Sequence, residues 1–236
     1  VRGHVLTMNE RREVIRDGVV AIRGERIVAV GGPDLAARIN ARRTLDARGA
    51  LVLPGMVNAH THASMTVFRG LGDDVPDRLR RFIFPLEKHF VDRDIVHWGA
   101  LHGIVEMIEG GVTTFADMYY FEEEVARAAR LAGMRGVLGQ TIVNFPAPDA
   151  PEPYGGIARA RRFIADHRGD PLITPAFAPH APYTVEPDRL REIARLAEEL
   201  DVPVLMHVAE MTDEIANLRR DHNRTPVQHL ESVGLL

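Results

Sequence analysis

From residue 51 onward the chain alternates short apolar runs with stretches of helical period, and that alternation admits few architectures. Apolar runs lie at 51–59, 112–116, 135–143, 172–177 and 202–206, with helical spacing over 95–108, 122–131, 156–167 and 187–200 between them. Strands that alternate with helices build βαβ units on a parallel sheet, either open or closed into a barrel. The helix ends agree with this reading. Glu122–Glu124 open one helix, and Arg130 and Gly133 close it, as the helix dipole and a left-handed C-terminal cap favour. Pro187 follows Glu186, with Asp188 in the first turn of another. A (β/α)8 barrel takes about 250 residues, roughly 31 per unit, so residues 51–236 suffice for about six units. The expected fold is α/β: an incomplete (β/α)8 TIM-type barrel of about five to six βα units, or an open sheet of the same size.

Residues 1–50 read differently. Val5–Met8 is a short strand, Val19–Arg23 and Arg26–Val30 form a hairpin through Gly24-Glu25, and Thr44–Asp46 is another short strand. Ala36–Asn40 is a short helical link. Such a set is too small to make a stable sandwich unless something else completes it. The domains expected are therefore 1–50 and 51–236.

Composition removes several function classes. The 236 residues hold no cysteine, which excludes disulfides, thiolate zinc sites, cysteine nucleophiles and the zinc deaminases that need P-C-x-x-C. A formal net charge of −4 argues against a general nucleic-acid binder. Lys88 is the only lysine and lies in no barrel strand, which excludes bridged two-metal sites built on a carbamylated lysine. No apolar run reaches the roughly 18 residues of a membrane span, and no signal peptide is visible, so the expected compartment is the cytoplasm.

Chemistry gathers at the strand ends. Leu51–His62 reads LVLPGMVNAHTH, an apolar run that ends in two histidines. Residues i and i+2 of a strand share a face, which sets the imidazoles of His60 and His62 side by side, at the separation one metal ion needs. His207 ends the 202–206 run as a candidate third ligand, and Glu210 follows as a carboxylate able to take and return protons. His180 lies in APHAPYT after the fourth run, its backbone stiffened by flanking prolines. Three neutral imidazoles suit Zn²⁺, with Fe²⁺ or Mn²⁺ also accommodated. Asp117, in FADM, is expected to cap a loop, with support of the site as the alternative. His4, His89, His97, His102, His167, His222 and His229 lack strand-end context and read as surface or packing residues, and Trp98 as a core residue.

PGMVNAHTH (54–62), FPLEKHF (84–90), GVTTFADMY (111–119), PHAPYTV (179–185), HVAEMTDE (207–214) and RTPVQHLESVGLL (224–236) run in order along the chain. Together they resemble the amidohydrolase superfamily, in its branch of methylthioadenosine/S-adenosylhomocysteine deaminases and s-triazine hydrolases. The resemblance implies a (β/α)8 barrel with a small β-sandwich built from both chain ends. It implies metal ligation by His60, His62 and His207, and a proton shuttle at Glu210 that protonates a ring nitrogen while metal-activated water attacks the adjacent carbon. It also implies a hydrogen bond from His180 to the purine and a hold on the ribose hydroxyls by Glu87. Gln140 stands where some relatives carry an arginine for an amino-acid tail, which leans toward methylthioadenosine or adenosine as substrate. The family's sixth-strand histidine and eighth-strand aspartate have no counterpart here. The chain is therefore expected to be the N-terminal part of a longer enzyme or half of a split one, inactive alone, with a complementing C-terminal segment or a homo-oligomer as partner. The implied reaction is hydrolytic deamination of a 6-aminopurine nucleoside. Its rivals are a guanine, pterin or s-triazine hydrolase on the same fold, and a non-catalytic fragment that needs a partner chain.

Overall fold

A computed structural model describes residues 1–75 and 77–236. They divide into two compact units, Val1–Met56 and Val57–Leu236. The boundary falls after residue 56 rather than 50 because Leu51 and Val52 complete a strand of the first unit.

That unit is one four-stranded sheet in the order β3-β2-β1-β4, with β1 Arg2–Leu6, β2 Val14–Arg23, β3 Arg26–Gly31 and β4 Asp46–Val52. β1 pairs antiparallel with β2 and parallel with β4. The expected hairpin is present as β2–β3, its turn taken at Gly24, where φ is +59°. The segment expected as a strand at 44–46 starts two residues later and runs longer, and the helical link is a 3-10 turn over Pro33–Arg38. The described residues of this unit make a single four-stranded sheet. Val5, Val19, Val20 and Ala21 are buried, while Ile22, Ile27 and Val28 stay exposed.

The second unit carries a sheet in the order β5-β6-β7-β8: β5 Met56–Thr61, β6 Val112–Tyr119, β7 Arg135–Ile142 and β8 Ile173–Pro179. β6, β7 and β8 pair parallel in continuous register. Helices α1 Phe84–Phe90 and α2 Arg93–Glu109 precede β6, and α3 Glu122–Ala132 precedes β7. α4 Gly155–His167 precedes β8, and α5 Pro187–Leu200, α6 Thr212–His222 and α7 Pro226–Val233 follow it. The strand–helix alternation of the sequence is thus borne out. Phe115 and Leu138 from the sheet pack with Ile104 of α2 and Val125 of α3, and Ile142 and Phe177 pack with Ile164, Leu190 and Ile193. Each of these helices buries one face on the strands, as burial of apolar surface requires.

Three expectations are corrected. The run 51–59 is not one buried strand: it breaks at Leu53-Pro54-Gly55, and Leu51 and Val57 are 62% and 66% exposed. β5 is the end strand of its sheet, so one side of it has no neighbour among the described residues. The run 202–206 is extended but is no full strand. Phe177 N donates to Pro203 O and Leu205 N to Phe177 O, and Val204 alone bridges Phe177. Pro203 has no N–H to extend the ladder. Trp98, expected in the core, is 67% exposed. α2 is apolar on both faces, so periodicity does not say which one is buried.

One packing detail fixes the segment after β5. Helix α2 crosses the 3-10 turn Ala63–Phe68 so closely that a Cβ on Gly99 would lie 2.3 Å from Ser64 O, and one on Gly103 2.7 Å from Ala63 O. Ser64 and Thr66 hydroxyls donate to Val96 O and Gly99 O, both at 2.9 Å. Alanine at 99 gains about 1 kcal/mol of helix propensity. Against that stands overpacking onto backbone, which costs about 1–3 kcal/mol and often more. Gly99→Ala is therefore expected to lower the urea midpoint clearly. Gly110→Ala, which meets only carbonyls of its own helix at 3.4 Å or beyond, is expected to be tolerated.

Candidate metal centre

The carboxyl ends of these strands converge on one cavity of about 630 Å³. His60 lies near the end of β5 and His62 directly after it, Met118 and Tyr119 end β6, Thr141 lies near the end of β7, and His180 follows β8 directly. His207 and Glu210 close the ring from the extended segment beyond α5. Parallel α/β folds place their chemistry at this end.

His60, His62 and His207 come together there. Their ring centroids form a near-equilateral triangle with sides of 5.1, 5.0 and 5.1 Å. One ligating nitrogen from each lies within 4.8 Å of the others. The strand alternation supplies the first pair, and the backbone hydrogen bond from His207 N to His180 O (3.0 Å) sets the third.

Hydrogen bonding fixes which nitrogen faces inward. His62 Nδ1 donates to Met118 O at 2.7 Å and His207 Nδ1 to His180 O at 3.0 Å. Both protons are then on Nδ1, and the two Nε2 lone pairs face each other at 3.1 Å. Two lone pairs at that distance repel unless a proton or a cation lies between them. Burial, with His62 close by, pushes the basicity of His207 down, which disfavours the proton. The donor set therefore fits a divalent cation, with the backbone carbonyls orienting its ligands.

Asp117 sits directly behind. It is fully buried, and its Oδ1 accepts from Ala63 N (2.5 Å) and the Thr61 hydroxyl (2.6 Å), the residues on either side of His62. These bonds cap the turn and tighten the segment that carries His62. Glu122, also fully buried, lies beside it. Burial and the Asp117 charge hold the Glu122 carboxyl well above its ordinary range, and burial raises Asp117 as well.

The other expected residues divide. His180 faces the cavity. Thr184 donates its hydroxyl proton to Ala181 O (3.2 Å) and lies 3.0 Å from His180 Nδ1, so Nδ1 carries hydrogen and Nε2 is left as an acceptor. Burial, with His207 and His62 nearby, lowers His180 to about 3, so its ring is neutral at physiological pH. Phe84 stands edge-on to it at 5.9 Å. Glu210 accepts the Tyr183 hydroxyl on Oε2 at 2.7 Å.

Gln140 does not reach the cavity. It is 1% exposed, and its amide donates to Asp149 Oδ2 (2.9 Å) and Thr141 O (3.3 Å). Asp149 also accepts from Phe121 N and lies 3.0 Å from Arg159 Nε. The expected substrate contact at Gln140 is corrected to a buried structural one, with Thr141 as the β7 residue that lines the cavity. Sequence reasoning also missed Tyr119 and Tyr120, cavity residues whose apolar neighbours gave no sign of a site.

Glu87, on α1, is 5% exposed and lines the cavity. Burial pushes its carboxyl from 4.5 up to about 7, against the pull of the Tyr119 and Tyr120 hydroxyls. Between those two values the folded protein keeps a proton that the unfolded chain has released. Stability therefore falls as pH rises through this window, by about 3 kcal/mol at most. Glu87→Gln is expected to remove that slope, shrinking the difference in unfolding free energy between pH 5 and pH 8 by about 2–3 kcal/mol in denaturant titrations.

Known proteins resemble this chain along its length. The chain is 44% identical to 5-methylthioadenosine/S-adenosylhomocysteine deaminase 1 of Syntrophus aciditrophicus, over 99% of its own length and 54% of the relative's. It is 45% identical to the 5-methylthioadenosine/S-adenosylhomocysteine deaminase of Syntrophobacter fumaroxidans, over 100% and 54%. A crystal structure of an adenosine deaminase from Xanthomonas campestris with bound zinc superposes with a TM-score of 0.90 at 33% identity, over 99% of this chain and 54% of that one. The chain thus spans about half the length of the curated relatives it matches. The Amidohydrolase family model matches residues 51–236, the whole stretch that carries the parallel sheet and the three histidines, and the chain belongs to the amidohydrolase family.

Proposed function

We propose that this chain is the metal-bearing part of a zinc-dependent aminohydrolase that converts a 6-aminopurine nucleoside to its inosine form and releases ammonia. The nucleoside is 5′-methylthioadenosine, S-adenosylhomocysteine or adenosine. The observation that carries this reading is the cluster of His60, His62 and His207 in a cavity that Glu210 also lines. The names of the relatives support the substrate class. Residues 57–236 are the opening βα units of a (β/α)8 barrel on this reading.

His60, His62 and His207 would hold the metal, which when bound supplies a Lewis acid able to bring the pKa of water to about 7. Glu210 takes a proton from the attacking water and delivers it to the ring nitrogen beside the amine-bearing carbon. It then carries the second water proton to the amine, which departs as ammonia as the carbonyl forms. Tyr183 holds Oε2 and leaves Oε1 free for this work. Nε2 of His180 is an acceptor and receives an N–H of the aminopurine. Glu87 accepts from the ribose hydroxyls, and Phe84 offers its ring to the base.

Ammonia release by the full-length, metal-loaded protein tests the proposal, with the three nucleosides set against guanine and a chlorinated s-triazine. Turnover of at least one nucleoside, at a kcat/KM of about 10⁴ M⁻¹s⁻¹ or more, is expected. Preference for guanine or the triazine overturns the substrate assignment.

A further inference from the structure

The loop that carries Glu210 is gripped by an acid that no step above uses. Glu214 is the third residue of α6 and is 1% exposed. Its Oε1 accepts from Ala209 N at 3.0 Å, and its Oε2 accepts from Glu210 N at 3.0 Å and Met211 N at 3.4 Å. A glutamate at this helix position ordinarily reaches back to one amide, that of the capping residue, which here is Met211. The bonds to Ala209 and Glu210 lie beyond the helix, in the loop itself. Ala209 has φ of +59°, a left-handed conformation that a non-glycine residue keeps only where its surroundings hold it. Three converging N–H groups at a helix N-terminus call for a charged acceptor.

The opposite side of the loop is tied separately. Arg80 donates to Asp213 at 2.8 Å, and its guanidinium lies 5.5 Å from the Tyr183 ring centre. Tyr183 in turn donates to Glu210. The backbone of Glu210 is thus fixed by Glu214, and its carboxylate by Tyr183.

We propose that Glu214 is the positioning residue for Glu210, holding the 209–211 backbone so that the Glu210 carboxylate stays beside the three-histidine centre. The inference rests on the reading of Glu210 as proton carrier. Glutamine at 214 keeps the shape but turns an amide –NH₂ toward donors. Aspartate keeps the charge but falls one methylene short of them.

The test uses the full-length, metal-loaded enzyme with methylthioadenosine. Glu214→Gln and Glu214→Asp are expected to lower kcat at least tenfold, with KM within twofold of wild type and bound metal unchanged. In a Glu210→Gln background the same changes are expected to add less than twofold. In the wild-type protein the amides of residues 209–211 are expected to be protected from hydrogen exchange, a measurement that needs no variant to fold. The inference is overturned by kcat within twofold of wild type, by a KM or metal content that falls with kcat, by effects that multiply in the double variant, or by unprotected amides. Loss of the underlying reading is distinguishable: it appears as full turnover in Glu210→Gln alone.

Discussion

Replacing Glu210 with glutamine is expected to lower kcat for nucleoside deamination by about 10²–10⁴-fold, with KM and bound metal near wild type. The chemistry needs one group that takes a proton from water and gives it up again within hydrogen-bond reach of the reacting carbon. Among the described residues lining the cavity, the carboxylates are Glu87 and Glu210. Glu210 stands three positions past His207. Glu87 is on α1 and, at a pKa near 7, would be about half protonated at neutral pH. Glutamine preserves the bond from Tyr183, since its carbonyl oxygen accepts as Oε2 does, so the loop keeps its shape. What is lost is the ability to carry a proton. Steady-state ammonia release read together with metal content checks this. A variant that turns over normally would move the proton carrier elsewhere and leave Glu87 to be tested next.

The parts of the site legible in the sequence were those set by local period. His60 and His62 are two apart in a strand, and period alone puts them on one side. His180 and His207 could be found because they follow apolar runs directly. Gln140 failed for the opposite reason: its partner Asp149 arrives from a loop nine residues on and is held there by Arg159 and Phe121 N. Nothing in the spacing of those residues announces a network. Trp98 failed because α2 is apolar on both faces. The break at Pro54-Gly55 was visible, but the apolar residues on either side of it concealed that they belong to different sheets. Glu214 gave no signal at all, because an acid in the first turn of a helix reads as a solvated one until its three amide partners are seen.

His207→Ala in the full-length protein is expected to be the most severe substitution. Bound metal should fall from about one equivalent to less than a tenth, and deaminase activity should drop below detection. His60 and His62 would remain adjacent on β5, but two imidazoles two residues apart make an open, weak site. Losing a third ligand leaves too few donors to hold the ion firmly. His207 also comes from far along the chain, since its Nε2 meets that of His62 from 145 residues away. A bound metal would therefore tie the segment after α5 to the end of β5. Two signatures should accompany the loss. Zinc added to the stripped wild-type protein should raise its unfolding temperature, as any ligand that binds only the folded state does, and this rise should vanish in the variant. His102→Ala, at a histidine whose side chain is 59% exposed and outside the cluster, should leave both metal content and the zinc-dependent rise intact. Full metal retention by His207→Ala would mean that the 3.1 Å approach of two imidazole nitrogens is bridged by a proton after all. Glu210 would then stand beside a hydrogen-bonded pair of imidazoles, and the metal would be held by other residues.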